Sequence, residues 1–412
     1  MSGRELPDWL DGYLEYTSST EPPTSYHQWC GLAVIAGALQ RRVYLQQGLE
    51  RTIYPNLYVI LVGPSGRTRK GVALGIAKEL LSEVGIVTIA PESCSGREAL
   101  ALVMKNAEKS FTDPTDNKIK NHCAISAFSE ELSVFLGQGD IKLLANLTDW
   151  YDSKDFWEYQ SIGRGKDGIR GVCLNMVGGT APEWIQSMLP HEAIGGGYTA
   201  RVIFIVEEWR RKVASRRELT PSEVVLYDKL KSDLNRIALL SGQFDFTDEA
   251  FNAWDTWYHN EGEKMRTGYM PVTDGRFAAY CERRQTHIRK IMMSLSASRG
   301  DSMRLEREDF DRALAMMLDA EVSMGKTFGG LGKARYSDAT DKIIEYIKAM
   351  GGITTRRTLL SKFFHDIDGE SLARIEMTLL QMGAIKVKII SKGEDKVYEW
   401  IPEDQRGPKP TH

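Results

Sequence analysis

Apolar and polar positions alternate along this chain in a way that predicts helices at its start. Trp9, Leu10, Tyr13 and Leu14 recur at helical spacing, and Trp29–Leu39 is apolar on nearly every side, as a buried segment would be. Leu6–Leu49 is therefore read as helical, divided by Pro22 and Pro23, with Arg41 and Arg42 closing the second helix where cations suit its negative end. Both helices are expected to pack on a sheet and to carry no chemistry. The pattern then changes to the unbroken apolar run Tyr58–Val62, which suits a parallel strand buried on both faces. It breaks into a Gly/Ser/basic turn and resumes as the helical Val72–Val84. Beyond it the sequence predicts a short strand at Gly85–Ala90 and a helix at Ser95–Asn106, where Ser95 and Glu98 have capping-box spacing. Phe111–Asn121 is polar and reads as a surface loop. A strand at His122–Phe128, a helix at Leu143–Tyr151, and strands at Phe156–Gln160, Ile169–Val177 and Val202–Val206 follow.

Helical patterns dominate the next stretch: Leu219–Leu240, Thr247–Tyr258, Arg283–Ser296 and Glu306–Leu318. Phe251, Trp254, Trp257 and Tyr258 share one face, which reads as core in preference to a base-stacking platform. Phe328–Gly332 is a glycine-rich hinge. After it, Ile343, Ile344, Ile347 and Met350 mark one helix and Arg357–Phe363 a second. Leu372, Ile375, Leu379 and Met382 mark a third, stopped by Gly383. Ile385–Ile390 and Lys396–Trp400, joined by Ser391–Asp395, complete a winged helix-turn-helix. Its third helix offers Glu370, Arg374 and Glu376, not the basic face a major-groove reader needs, so DNA contact would fall to Lys386, Lys388, Lys392 and Lys396. Docking to a protein is the equal alternative. The tail Glu403–His412 is polar and expected to be disordered. The expected division is thus 1–55, an N-terminal helical segment; 56–210, a core; 211–328, a helical lid; and 333–402, the winged-helix domain.

Composition narrows the function. With 412 residues, 42% hydrophobic, 26% charged and a net charge of −3, the chain has a globular composition, and its overall charge does not advertise nucleic acid; any such surface must be local. Its longest apolar runs fall short of the roughly 20 residues that span a bilayer. The start MSGRELPDW has no apolar signal core, so a cytoplasmic location and no membrane partner are expected. Cys30, Cys94, Cys123, Cys173 and Cys281 are scattered and form no CxxC pair, and no HExxH occurs, which argues against a disulfide framework and metal-hydrolase chemistry.

Candidate chemistry sits at the ends of the predicted strands. Gly63, Pro64, Ser65, Gly66, Arg67, Thr68, Arg69, Lys70 and Gly71 join a buried strand to a helix, where glycines let backbone N–H groups approach phosphates and the helix points its positive end at an anion. Against G-x-x-x-x-G-K-[ST], Lys70 arrives one residue late and Gly71 replaces the hydroxyl residue that would ligate magnesium, leaving Thr68, Ser65 or a water to supply it. Three cations in one turn would repel one another without an anion. His122–Phe128 delivers Glu130 and Glu131, one carboxylate for magnesium and the other for an attacking water. The alternative is two solvent-facing glutamates opening a helix. Ser161–Gly168 is a glycine-rich basic hairpin whose Arg164 and Lys166, with Arg170 beyond, could follow a phosphate backbone or simply be solvated. Thr180 ends one strand and Arg201 begins the next, so both can face a γ-phosphate, and Arg201 could equally be a structural ion-pair arginine. Arg210, Arg211, Lys212, Arg216 and Arg217 read as a solvated linker or a phosphate-contacting patch.

Taken in order, the Gly63–Lys70 turn, the strand ending at Glu130 and Glu131, the basic hairpin, Thr180, and TARVIFIVEE around Arg201 resemble the AAA+ ATPases, within them the MCM-type helicases. The text from Trp29 through NLYVILVGPSGRTRKG, SEEL, LTDWYD and GGTAPEW also resembles a family of phage and prophage replication-module ATPases. That resemblance covers about Leu6–Leu318. It implies an α/β fold with an AAA+-like P-loop core, bound ATP and Mg2+, with Glu130 as the metal ligand. It further implies Arg201 as an arginine finger acting across a subunit boundary, and Arg284 as the sensor-two residue, with Arg283 and Arg289 as rivals. The implied function is a ring-forming, hexameric, ATP-hydrolysing motor on single-stranded or forked DNA, a phage or mobile-element replicative helicase working in the host cytoplasm with other replication proteins. The alternatives are an AAA+ initiator or helicase loader, and a nucleotide-dependent DNA-binding assembly factor that barely hydrolyses ATP.

Overall fold

A computed structural model describes residues 3–46, 48, 52–93, 96–137, 140–161, 165–188, 196–214, 218–328, 337–364, 367–390 and 395–402. Ser95, Arg164, Arg216, Arg217, the hinge residues 329–332, Lys392 and the tail 403–412 lie outside the described residues, as does the side chain of Lys166. The chain divides into two units, Met1–Phe328 and Gly329–His412. The first begins with α1 (Trp9–Thr17), capped by Asp8, then α2 (Thr24–Leu39), β1 (Val43–Leu45), β2 (Tyr58–Val62), α3 (Lys70–Ser82) and α4 (Arg97–Asn106). Next come β3 (Glu108–Asp113), β4 (Lys118–Ser129), α5 (Leu132–Leu136), α6 (Ile141–Tyr151), β5 (Phe156–Ser161), β6 (Gly165–Arg170), β7 (Val172–Thr180), α7 (Pro182–Met188) and β8 (Ile203–Val206). It closes with α8 (Pro221–Ile237), β9 (Gly242–Phe246), α9 (Asp248–Arg266), α10 (Ala278–Arg299), β10 (Arg304–Leu305) and α11 (Arg307–Met324).

The fold is mixed α/β around a sheet of order β3-β4-β7-β2-β8, parallel from β4 to β8 with β3 antiparallel at the edge. β2 and β7 are buried along their whole length, as strands covered on both faces must be. One cover is α2, buried from Trp29 to Leu39. A Cβ on Gly37 would meet Ser126 Oγ at 2.6 Å and Leu81 Cδ2 at 2.7 Å, so glycine permits the close approach of α2 to sheet and α3. Asn175 anchors the layer, donating to the Ala33 carbonyl at 2.9 Å and accepting from Leu57 N at 3.1 Å. The N-terminal helices are thus integral to the first unit.

Several predicted boundaries move. Phe111–Asn121 is an antiparallel hairpin, β3 to β4, whose outward polar residues mimic a loop. Gly85–Ala90 contributes only the parallel bridge of Ile89 to Ser126. Ile169–Val177 is two strands, broken at Gly171, whose φ of 62° demands glycine. Arg41 and Arg42 lie beyond α2, which stops at Gln40. β1, β9 and β10, which no apolar period marks in the sequence, pair in parallel as a second small sheet. Among the described residues, Cys30, Cys123, Cys173 and Cys281 are free and buried, and no helix is long and apolar enough to cross a membrane.

The second unit comprises α12 (Ser337–Ala349), β11 (Ile353–Thr355), α13 (Arg356–Lys362), α14 (Gly369–Gln381), β12 (Ile385–Ile390) and β13 (Asp395–Trp400), with an antiparallel sheet of order β11-β13-β12. β11 was not foreseen. Ile343, Ile347, Leu359, Leu372, Ile375, Leu379 and Tyr398 form its core. Glu376 is turned inward to accept from Tyr398 Oη at 2.9 Å and Lys396 Nζ at 2.5 Å.

Candidate active site

The parallel sheet brings the carboxyl ends of β2, β4 and β7 together. Val62 lies opposite Thr180, and Ser129 opposite Gly178, so the glycine turn, the glutamate pair and Thr180 meet at one edge. Gly63 N donates to the Thr180 carbonyl at 3.1 Å. Gly63 admits nothing larger: a Cβ would meet Tyr26 Oη and Glu207 O at 2.6 Å and Thr68 Cγ2 at 2.7 Å. Tyr26 in turn donates to the Val62 carbonyl at 2.7 Å, so α2 fixes the turn's first residue.

The backbone is left-handed at Gly66 and at Arg69, where φ is 55°. A non-glycine residue held there is strained, which is common where a loop is built around a ligand. α3 then starts at Lys70 without a side-chain cap, leaving first-turn N–H groups able to meet an anion. Lys70 folds back across the turn and donates to the Gly63 carbonyl at 2.6 Å. Burial pulls its ammonium below the usual value, partly offset by Glu131 and Glu183. Glu183, at the start of α7, was missed in the sequence because nothing there marks its proximity to Lys70.

The turn's other cations already have partners. Arg67 lies over the Trp209 ring at 4.8 Å, and Arg69 pairs with Glu21 at 2.9 Å. Clustering of charge in the turn therefore does not by itself demand a bound anion. Ser65 is exposed and Thr68 is fully buried.

Glu130 and Glu131 are exposed and do open a short helix, α5. Yet Glu130 is also placed against the turn: a Cβ on Gly71 would come 2.7 Å from its Oε2. The space that a serine or threonine would fill is occupied by a carboxylate. Gly179 and Gly178 permit this, because a Cβ on the former would meet Glu130 O at 2.8 Å and one on the latter Leu132 Cδ1 at 2.7 Å. Beside the pair is a cleft of about 310 Å³ lined by Leu74, Gly75, Lys78, Glu92, Phe128 and Val134.

Arg201 and Arg284 are held elsewhere. Arg201 is buried and donates to Asp152 at 2.7 Å and to the Gly197 carbonyl at 2.8 Å. Burial opposes ionisation of Asp152, but Arg201 and Arg283 keep its carboxyl below the usual range. Of the two roles open to Arg201, this geometry matches the structural ion pair. Arg284 is clamped between Glu321, at 2.7 and 2.9 Å, and Glu261, at 2.5 Å, and stacks 5.5 Å from Trp257. Its guanidinium is committed to those carboxylates, whereas a sensor-two residue would face the nucleotide. Arg211 and Lys212 are likewise no free patch: they donate to carbonyls at the end of α1, including Thr20 at 3.1 Å and Ser18 at 2.8 Å.

The basic hairpin exists as β5 and β6, at the amino end of β7 and so at the opposite edge of the sheet from the glycine turn. Arg170 closes it and is exposed. Comparison with models of known protein families and with curated proteins returns no match.

Proposed function

We propose that the first unit is a P-loop ATPase of AAA+ type and that the chain acts as an oligomeric DNA motor, a phage or mobile-element replicative helicase. The observation that carries this reading is the strand order, which separates the glycine-turn strand from the glutamate strand by the strand ending in Thr180. In that arrangement the Gly63–Gly71 backbone and the α3 N-terminus cradle the phosphates. Lys70 leaves the Gly63 carbonyl for the β- and γ-phosphates, and Glu131 orients the attacking water. Glu130 would hold magnesium in place of the missing hydroxyl, and the ion when bound neutralises phosphate charge. Thr180 senses the γ-phosphate from the neighbouring strand.

The second unit, read as a winged helix-turn-helix, suits docking to a replication protein, because Arg374 is tied to Glu370 at 2.7 Å and leaves α14 without a basic face. A second reading is favoured by the commitment of Arg201 and Arg284 to intrachain carboxylates: a nucleotide-dependent assembly factor, loader or initiator that hydrolyses slowly. Phosphate release from ATP and magnesium, with and without single-stranded DNA, decides between them, followed by strand displacement on a fork. DNA-stimulated release with displacement supports the motor, and stimulated release without displacement supports a loader or initiator. ATP binding without release supports the assembly factor. Failure to bind ATP at all overturns the P-loop assignment.

A further inference from the structure

At the amino end of β4, about 30 Å along that strand from Glu130, lies a spacious cleft. It holds about 520 Å³ and is lined by residues from six separate segments. Its aromatics are Tyr44, Tyr54, Phe111 and Phe156, and its cations Arg41, Lys120 and Arg170; Arg41 is paired with Asp155 and Lys120 with Asp113, which leaves Arg170 as the exposed cation beside Phe156. The rings and cations interleave. Arg41 lies 4.1 Å over Tyr54, Lys120 4.7 Å over Tyr44, and Arg42, just behind, 5.6 Å over Phe111. Phe156 and Arg170 are directly opposed across the base of the β5–β6 hairpin and so share a face. Phe156 is 53% exposed, and its ring occupies the room of the missing Cβ at Gly168, 2.3 Å from where that atom would stand. Gly171, whose Cβ would meet Asn121 O at 2.6 Å, presses the hairpin exit against β4 and closes one wall. His122 beneath is held neutral, its pKa lowered to about 4 first by burial and then by Arg41, Arg42 and Lys109.

We infer that this cleft is a binding site for single-stranded nucleic acid, with a base stacked on Phe156 and the adjoining phosphate met by Arg170. An exposed ring beside a cation is the pairing that binds such strands without reading their sequence, since every base has a face and every link a charge. An acidic peptide would use the cations and leave the rings idle. The inference rests on the DNA partner of the proposed function but not on ATP hydrolysis.

Fluorescence anisotropy of a labelled oligothymidylate with the full-length chain tests it, without nucleotide and across a salt series. Phe156→Ala should weaken binding by about 5- to 150-fold, the range of one base–aromatic stack, and Phe156→Tyr should restore it. Arg170→Ala should lower the slope of log affinity against log salt by about 0.7. Both variants should keep the basal ATP hydrolysis of the parent, which also certifies their folding. Unchanged oligonucleotide affinity in both variants overturns the site while leaving DNA binding by the chain intact. No binding by the parent chain removes the site and the DNA partner together, and leaves the ATPase reading to stand on phosphate release. If a poly-glutamate peptide competes with the oligonucleotide at the cleft and loses affinity in Arg170→Ala, while Phe156→Ala changes the affinity of neither, the occupant is an acidic peptide and the inference falls.

Discussion

The two edges of one sheet differ in how they treat positive charge. At the carboxyl edge each cation of the glycine turn is met within the chain: Lys70 by a carbonyl, Arg69 by Glu21, Arg67 by the face of Trp209. At the amino edge Arg41 and Lys120 are also met within the chain, by Asp155 and Asp113, each beside a ring, and it is Arg170 that stands exposed beside Phe156. The first edge resembles a site kept closed by its own groups, which a ligand opens by exchanging partners. The second resembles an open platform. A charge cluster read from sequence therefore says little until its partners are known, since similar clusters of arginine and lysine serve opposite ends.

Four substitutions or conditions test that contrast. Arg284 belongs to neither edge, so Arg284→Met should disable both together. It leaves buried Glu321 without its cation and Glu261 with Lys264 alone, and breaking a buried pair costs about 3–5 kcal/mol; urea unfolding measures it, and a loss confined to one edge would show that the edges are not mounted on a common core. Lys70→Ala should instead disable one edge only. Hydrolysis should fall by about 10²–10³-fold, as for loss of one transition-state donor, while oligonucleotide binding stays at the parental value. Equal loss of both would mean that the edges are coupled in the resting protein.

Acid should act on the amino edge through His122. Its folded pKa of about 4 lies below the ordinary 6.5, so the neutral ring's contribution is present above pH 6.5 and is lost as pH falls toward 4. Between pH 7 and pH 5 this single group should remove about 2 kcal/mol. Urea midpoints at the two pH values, compared with those of His122→Gln, isolate it; an identical pH dependence in the variant would refute the assignment. Gly71→Ser should have the smallest effect on folding, within about 0.5 kcal/mol, because only the end of the flexible, exposed Glu130 must move aside. Hydrolysis should still drop by about tenfold, or about 1.4 kcal/mol, as the carboxylate is displaced. A faster enzyme would mean that the hydroxyl, and not Glu130, is what the turn lacks.

What the sequence made legible was whatever is contiguous. Tyr58–Val62, the turn and α3 form one stretch, and the apolar parts of β4, β7 and β8 announce themselves as runs that end at a polar residue. Three kinds of feature escaped. β3 and the start of β4 face outward, so polarity disguised them as a loop. β1, β9 and β10 are short and pair across long separations, which leaves no local period to detect. The third kind is partnership: Asp152 for Arg201, Glu321 for Arg284 and the six segments around the cleft at Arg170 are fixed by folding, and no spacing records them. Gly71 illustrates the same point. In the sequence it is a defect in a motif, and in space it is the room that admits Glu130.

The way α1 is anchored sets the order in which the protein can be made. Trp9 Nε1 donates to the Leu230 carbonyl at 2.8 Å, Leu10 N to Ser298 Oγ at 2.8 Å, and Asp8 receives Arg312 at 3.0 Å. None of those partners exists while the early helices leave the ribosome. At about 5–20 residues per second, roughly 15–60 s of synthesis separates α2 from the last of its surroundings. Throughout that interval a helix apolar on every side stands without its cover. A nascent chain arrested shortly before Ser298 should therefore be the species that chaperones hold longest, and release should coincide with the emergence of α10.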